Sequence, residues 1–308
     1  MRVRVIVNPK AGSGSAAKRL PQILREIERA GALPDSAETL APGDAARLVR
    51  KAHLDGVDCV ALVGGDGTLN EAVQAFIGPD GEVLPGPVLA VIPSGTGGDF
   101  RKTFNLGTST EEAVARLMSS PPRPVDLGLL ELTSHEGEPI HRAFINVTSF
   151  GMGGLTDRIV NSGPKWWGGR ASFLIGALRA LAVYQNAPVE LSVDGRVFLE
   201  SPIVNVALAN ARYFGGGMKI APDADPADGL LDVIAIADLS RARSMALTPH
   251  IYRGSHVDQA DVHTCRGARI EARPLVKSAE VLIDMDGETP GRLPLTARIA
   301  PAALSIRV

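Results

Sequence analysis

The densest chemistry in this chain lies at Gly64–Asn70, which reads GGDGTLN. Three glycines in four positions let the backbone take positive φ and let a bulky anion come close. Free amides at the start of a following helix, with its dipole behind them, favour phosphate oxygens. Asp66 is a carboxylate set among these glycines, where a cation bridging phosphates would need one. A tight structural turn is the alternative, and it leaves the acid unexplained. The turn needs a strand and a helix to hold it. Val60–Val63 is a short apolar run that reads as a buried parallel strand. Leu69, Val73 and Phe76 recur at helical spacing, so a helix from about Thr68 has a face for the core.

Two acidic groups lie further along. In Tyr213–Asp232, YFGGGMKIAPDADPADGLLD, three glycines precede Asp223, Asp225 and Asp228. Acids beside turn carbonyls suit a hard cation such as Mg²⁺ or Ca²⁺. An acidic solvated loop with ordinary Asp-Gly turn chemistry fits the same residues. In IDMDGE, Asp284, Asp286 and Glu288 alternate and share a face if the strand persists. Clustered carboxylates raise one another's pKa, which could poise one as a general base. A charged hairpin end is the plainer reading of that string. His256, after Gly254-Ser255, is read as structural. Trp166-Trp167 reads as an interfacial anchor or as a core contact.

The elements positioning these groups change character along the chain. Val3–Val7 is a first buried strand, entering the turn Asn8–Gly14 and a helix to about Ala30. Gly12-x-Gly14-x-x-Ala17 is a relaxed dinucleotide pattern with Asp35 downstream, but Asn8-Pro9 intervenes between strand and glycines. A second strand is expected over Ala37–Leu40, then a helix from Asp44 to about Leu54. Val88–Ile92 is a third run, entering Pro93–Phe100, PSGTGGDF. Strand, glycine turn and helix, three times over, is the pattern of a parallel α/β domain. In such a sheet the turns gather beyond the carboxyl ends of the strands, where ligands bind. Ser109-x-x-Glu112 is a capping box for a further helix.

Ser119–Pro124, SSPPRP, reads as a linker. Beyond it the chain is mostly β: Leu127–Leu132, Ala143–Val147, a hairpin around Asp194-Gly195, Ile203–Ala209, Leu230–Ile236, Ala268–Ala272 and Val281–Met285. Helices are expected around Ala171–Tyr184 and Ser240–Tyr252. This divides the chain into an α/β domain over 1–124 and a β-rich domain over 125–292. The last strand, about 293–308, is expected to return to the first domain.

Composition narrows the classes. The 308 residues include 32 basic and 34 acidic side chains, a formal net charge of −2, with no basic block, so no nucleic-acid partner is indicated. Cys59 and Cys265 lack metal-ligand spacing and fit a reducing cytoplasm. Arg2 leads straight into a strand, so no signal peptide is expected. No apolar run approaches the roughly 20 residues that span a bilayer, so no transmembrane segment is expected and any membrane contact is peripheral.

In order, NPKAGSG, TLAPGDA, GGDGTLNEAV, IPSGTGGDF, FINVTSFGMGG, YFGGGMKIAPDADPADGLLDV and MDGE resemble the diacylglycerol kinase catalytic-domain family, in particular its soluble bacterial lipid kinases. The first four are shared in part with NAD kinases and phosphofructokinases. The Tyr213–Val233 block is specific to the lipid kinases. The resemblance implies a NAD-kinase/diacylglycerol-kinase-like α/β nucleotide-binding domain followed by a β-sandwich-like second domain. It implies ATP and Mg²⁺ as cofactors, with the γ-phosphate passing to the hydroxyl of diacylglycerol or a related lipid. Asn8, Thr39, Gly64, Gly65, Asp66, Gly67, Thr68, Leu69, Asn70 and Thr96 match ATP-contacting positions. Asp225, Asp228 and the Leu230 carbonyl match a Mg²⁺-holding loop. Glu288, with Asp286 beside it, matches the acidic pair to which the catalytic base is assigned. The chain departs from the family at Gly98, where Asn is usual. A lipid substrate implies a cytoplasmic enzyme meeting the inner membrane surface peripherally; a homodimer stays open. NAD kinase, or a catalytically silent nucleotide- or lipid-binding regulator on the same fold, are the alternative readings. No GxxxxGK[ST] pattern is present, so a P-loop grip is not expected.

Overall fold

The computed structural model describes residues 1–94, 98–162, 176, 179–276 and 278–308. The chain forms two compact units, Met1–Asp126 with Ala302–Val308, and Leu127–Pro301.

In the first unit, strands β1 (Arg2–Val7), β2 (Leu33–Glu38), β3 (Cys59–Gly64) and β4 (Val88–Pro93) pair in the order β4-β3-β1-β2, all parallel. The helices are α1 (Ser15–Arg29), α2 (Asp44–Leu54), α3 (Asp66–Val73), α4 (Asp99–Thr103) and α5 (Thr110–Ser119). β3 is buried at every position, as a central parallel strand should be. Val5, Val7, Ile23, Ile27, Val63, Ile92 and Leu117 form one apolar core, where α1 and α5 cover the sheet. Ser109 caps α5, its Oγ accepting from the Glu112 amide at 3.2 Å. The Cys59 thiol sits in this core, where burial pushes it up to about 12, and has no reactive character.

The second strand lies earlier than the sequence predicts, at Leu33–Glu38 rather than Ala37–Leu40. LPDSAE has no apolar alternation because it is the edge strand, held by backbone bonds to β1. Its Asp35 meets Arg4 of that neighbour at 2.7 Å. The Ser119–Pro124 linker is also shorter than its composition suggests. β5 (Arg123–Ser134) starts at Arg123, two residues before its first buried apolar side chain.

The second unit is antiparallel. β6 (Pro139–Phe144), β7 (Val147–Gly151), β8 (Ala187–Val193), β9 (Arg196–Ile203), β10 (Asn205–Ala209), β11 (Leu231–Ile236), β12 (Val262–Gly267), β13 (Arg269–Pro274), β14 (Leu282–Met285) and β15 (Glu288–Arg307) follow one another. The order β12-β11-β10-β7-β14-β15 makes its main sheet. β13 pairs with β15 and β8, and β8 with β9. The Asp194-Gly195 hairpin joins β8 to β9 as the sequence predicts. Leu130, Phe144, Phe150, Ile203, Val233 and Ile283 anchor the core. Among the described residues, α6 (Met152–Ser162) and α7 (Arg241–Arg253) are helices of this unit, and residues 179–183 are also helical. The rest of the helix expected at Ala171–Tyr184, and Trp166-Trp167 with it, lies almost entirely outside the described residues. β15 begins five residues before the terminal strand read from sequence, and its end, within Ala302–Val308, belongs to the first unit. There Ile306 pairs parallel with Leu89.

Candidate active site

The three glycine turns of the first unit follow β1, β3 and β4, so a parallel sheet places them at one carboxyl edge. Side chains and amides tie them together. Asn8 donates from Nδ2 to Thr68 Oγ1 at 3.3 Å, and its own Oδ1 accepts from the Lys10 amide at 3.1 Å. The Ser94 amide donates to the Gly64 carbonyl at 2.9 Å, and the Ser15 and Ser94 hydroxyls are 3.2 Å apart. Thr39 follows β2 at the same edge, its amide bonded to the Val7 carbonyl at 3.0 Å. Leu69 and Asn70 are buried behind the turn, on α3. Thr96, matched to an ATP position, lies outside the described residues.

The α3 helix begins at Asp66 rather than Thr68, so the acid sits in the first helical turn. Its carboxylate does something sequence reading did not anticipate. Oδ2 accepts from the amides of Gly98 and Asp99, both at 2.8 Å, and Oδ1 from Phe100 at 3.1 Å. Asp66 therefore caps α4 at Gly98–Phe100 and ties that helix start to the GGDG turn. Gly98, where the family's Asn is absent, has φ +101°, a conformation that glycine takes without strain.

Gly64 is required by contact. A Cβ there would lie 2.3 Å from Thr68 Oγ1, the atom that receives Asn8. Gly64→Ala is expected to displace Thr68 and lower stability by about 1–3 kcal/mol, the usual range for an overpacked site. Urea unfolding checks this, as a lower midpoint at unchanged slope.

In the second unit, Asp286 and Gly287 form the two-residue turn between β14 and β15, with φ 49° and 91°. Positive φ at both central positions is the type I′ hairpin, for which Asp-Gly is favoured. Asp286 Oδ2 accepts from the Ile145 amide at 2.9 Å, and Oδ1 from Asn146 at 3.1 Å and Val147 at 3.0 Å. The MDGE turn is thus pinned into the bend of FINV. Burial pushes the Asp286 carboxyl up to about 7, while the three amides favour the anion. Both its oxygens are engaged, which makes it an anchor. Glu288, the next acid, is exposed at the start of β15. Its carboxyl is raised by partial desolvation, with Arg142 pulling the other way.

Asp284, the third acid of IDMDGE, is 5% exposed. Its Oδ1 accepts from the Gly287 amide at 2.9 Å and its Oδ2 from Ser149 Oγ at 3.1 Å. Asp157 of α6, a residue that sequence reading passed over, lies beside its carboxyl group. His256 is wholly buried, with Nε2 3.0 Å from the Ile220 carbonyl, the structural role expected of it.

Asp225, Asp228 and Leu230 lie in the loop before β11. Asp225 Oδ1 accepts from the Ala227 amide at 3.2 Å, and Asp228 Oδ1 from Leu230 at 3.0 Å. Asp228 Oδ2 pairs with Arg266. Among the described residues no three His, Cys, Asp or Glu side chains gather closely enough to hold a metal by themselves. Asp232 nearby has a buried Oδ2 with no hydrogen-bond partner. Burial raises its carboxyl, Arg266 opposes, and the charges of Asp228 and Asp223 raise it further. Carboxylates and a carbonyl with an unsatisfied buried oxygen beside them fit a hard cation.

The chain matches two family models: "Diacylglycerol kinase catalytic domain" over residues 2–130, and "YegS C-terminal NAD kinase beta sandwich-like domain" over 146–308. A diacylglycerol kinase of Mycobacterium tuberculosis (strain H37Rv) is 30% identical over 308 residues, 99% of this chain and 94% of that one. The crystal structure of a diacylglycerol kinase from Bacillus anthracis str. Sterne superposes with a TM-score of 0.71 at 22% identity, covering 99% of this chain and 96% of that one. Yeast NADH kinase shares the fold more distantly, at TM-score 0.54 and 11% identity, covering 99% of this chain and 82% of that one. An α/β unit of glycine turns followed by a β-sandwich-like unit, matched along nearly its whole length, makes this chain a member of the diacylglycerol kinase catalytic-domain family, a family of lipid kinases.

Proposed function

We propose that the protein transfers the γ-phosphate of ATP to the hydroxyl of diacylglycerol or a related lipid. The observation that carries this reading is the joined pair of glycine turns in the first unit, where Asp66 locks Gly98–Phe100 against the GGDG helix start. Phosphoryl transfer needs little covalent chemistry, so rigid positioning and charge neutralisation dominate. Asn8, Thr39, Gly64–Asn70 and Thr96 orient the triphosphate through backbone amides and hydroxyls. Asp225, Asp228 and the Leu230 carbonyl are the residues proposed to hold Mg²⁺. Bound Mg²⁺ supplies charge neutralisation to the phosphate oxygens. Glu288 accepts the lipid hydroxyl proton as the new P–O bond forms, and Asp286 anchors the turn that presents it.

Among the described residues no helix is long and apolar enough to cross a membrane. The competing NAD kinase reading draws on the shared fold and on the first-unit motifs that NAD kinases have in part, and the Tyr213–Val233 block speaks against it. Offering γ-labelled ATP and Mg²⁺ with diacylglycerol, a sphingoid base, phosphatidylglycerol or NAD separates the two. Label in one of the lipids is expected, and chelating the Mg²⁺ should abolish it. Label in NAD alone would replace this proposal with the other.

A further inference from the structure

Two buried acids in the second unit have no place in the reaction just described. Asp157 is 6% exposed and Asp284 is 5% exposed, and their carboxyl groups are hydrogen-bonded to each other. Two anionic carboxylates in contact out of water repel by several kcal/mol, so such a pair keeps one proton between them. The fold goes out of its way to bring them together. α6 starts in the FGMGG segment, and a Cβ on Gly154 would stand 2.4 Å from the Leu282 carbonyl of β14. Only glycine lets the helix lie this close to the strand. Gly153 is fixed beside it by its amide bond to Asn205 Oδ1 at 2.8 Å. One helical turn on from Gly154, Asp157 then reaches Asp284.

Asp284 is also wired to the turn. Its Oδ1 takes the Gly287 amide at 2.9 Å, immediately before Glu288. Ser149 Oγ donates to Oδ2 at 3.1 Å, and Thr148 Oγ1 to the Asp284 carbonyl at 2.8 Å. We propose that the Asp157–Asp284 pair, sharing one proton, is a clamp that holds the hairpin turn in the position from which Glu288 acts. Asp157 and Asp284 are positioning residues, and this rests on the reading of Glu288 as the base. The acid whose charge bears on Asp284 is Asp157 from α6, and the charge of Asp284 in turn raises the Asp286 carboxyl of the turn. Arg142 bears on Glu288.

Losing the shared proton would set two anions against each other and loosen the grip on Gly287. The sign follows from linkage. Burial holds both carboxyls above their ordinary range in the folded protein. The native state therefore binds a proton that the unfolded chain has released, and stability falls as pH rises through the pair's titration. One such proton changes the unfolding constant about tenfold per pH unit. Asn at 157 donates the same hydrogen bond permanently and has no proton to lose.

The test compares wild type with Asp157→Asn, and with Asp284→Asn as a second variant, from about pH 5 to about pH 9. Unfolding constants, kcat with ATP and the lipid acceptor, KM for ATP, and hydrogen-exchange protection of the Gly287 amide are measured. Once Glu288 has ionised, wild type is expected to lose stability, Gly287 protection and kcat together as pH rises through the titration of the pair. Asp157→Asn should flatten all three and leave KM for ATP unchanged. Identical pH profiles in wild type and Asp157→Asn would overturn the clamp. So would a flattened stability curve with the kcat profile unmoved, which would make the pair a purely structural contact. Failure of both amide variants to fold would also count against it, because each keeps a bond across the pair. If wild type phosphorylates no lipid, the proposed reaction fails, and the Gly287 protection alone decides whether the pair grips the turn.

Discussion

Glu288→Gln is expected to lower kcat by about 10²–10⁴-fold, the usual contribution of a general base. The change is nearly isosteric and removes only the proton acceptor. ATP affinity should stay almost unchanged, since the triphosphate is assigned to the turns of the first unit. Of the three acids in IDMDGE, Glu288 alone has a carboxylate that backbone amides do not already occupy. Asp286 is spent on Ile145, Asn146 and Val147, and Asp284 on Gly287, Ser149 and Asp157. The pH dependence carries a sign of its own. Desolvation raises the Glu288 carboxyl above its ordinary range, and only its anion is a base. The rate should therefore rise with pH through that raised value, and Glu288→Gln should lose this limb. Asp286→Asn should weaken the enzyme by a different route, because an amide nitrogen cannot accept from the backbone. Its cost is then in turn stability as well as rate, and in the double variant the two losses should not add. Steady-state kinetics over pH, with folding followed separately, measures each part. A wild-type kcat in Glu288→Gln would move the base elsewhere.

Asp66→Ala has the second large expected effect. Three backbone amides at the start of α4 lose a charged acceptor at once, so Gly98–Phe100 lose their tie to GGDG. Hydrogen bonds to charged groups contribute about 1.5–3 kcal/mol each, and water can replace part of this at a half-buried site. A stability loss of roughly 2–3 kcal/mol is expected, with the protein still folded. Turnover should fall by about two to three orders of magnitude, as for loss of preorganised phosphate contacts. Asp66→Asn keeps one acceptor oxygen and should fall between the two. A folded Asp66→Ala protein with near-normal kinetics would remove this turn from the nucleotide grip.

Much of the first unit was legible in the sequence because parallel strands are short apolar runs ended by glycine turns. β1, β3 and β4 announce themselves in this way. β2 does not, since an edge strand such as LPDSAE draws its definition from hydrogen bonds to β1 and from the Arg4–Asp35 pair. The first residues of β15 were missed because Pro290 and Gly291 interrupt the apolar pattern there, while β14 supplies the pairing. The acid in GGDG was visible as an anomaly, but not the amides it would hold, which lie in the next glycine turn. Asp157 gave no signal because its partner is far along the chain. Only the glycine contact of α6 on β14 brings it to Asp284.

The central claim is transfer of the terminal phosphoryl group from ATP to a lipid hydroxyl. It is tested most directly with ATP labelled at the γ-phosphorus and, separately, at the α-phosphorus, each with Mg²⁺ and diacylglycerol in mixed micelles. The expected result is a chemically extractable lipid phosphate carrying label from the γ position only, formed one for one with ADP. A lipid phase free of γ-label with every lipid acceptor offered, while NAD gains it or the label appears only as inorganic phosphate, would contradict the claim.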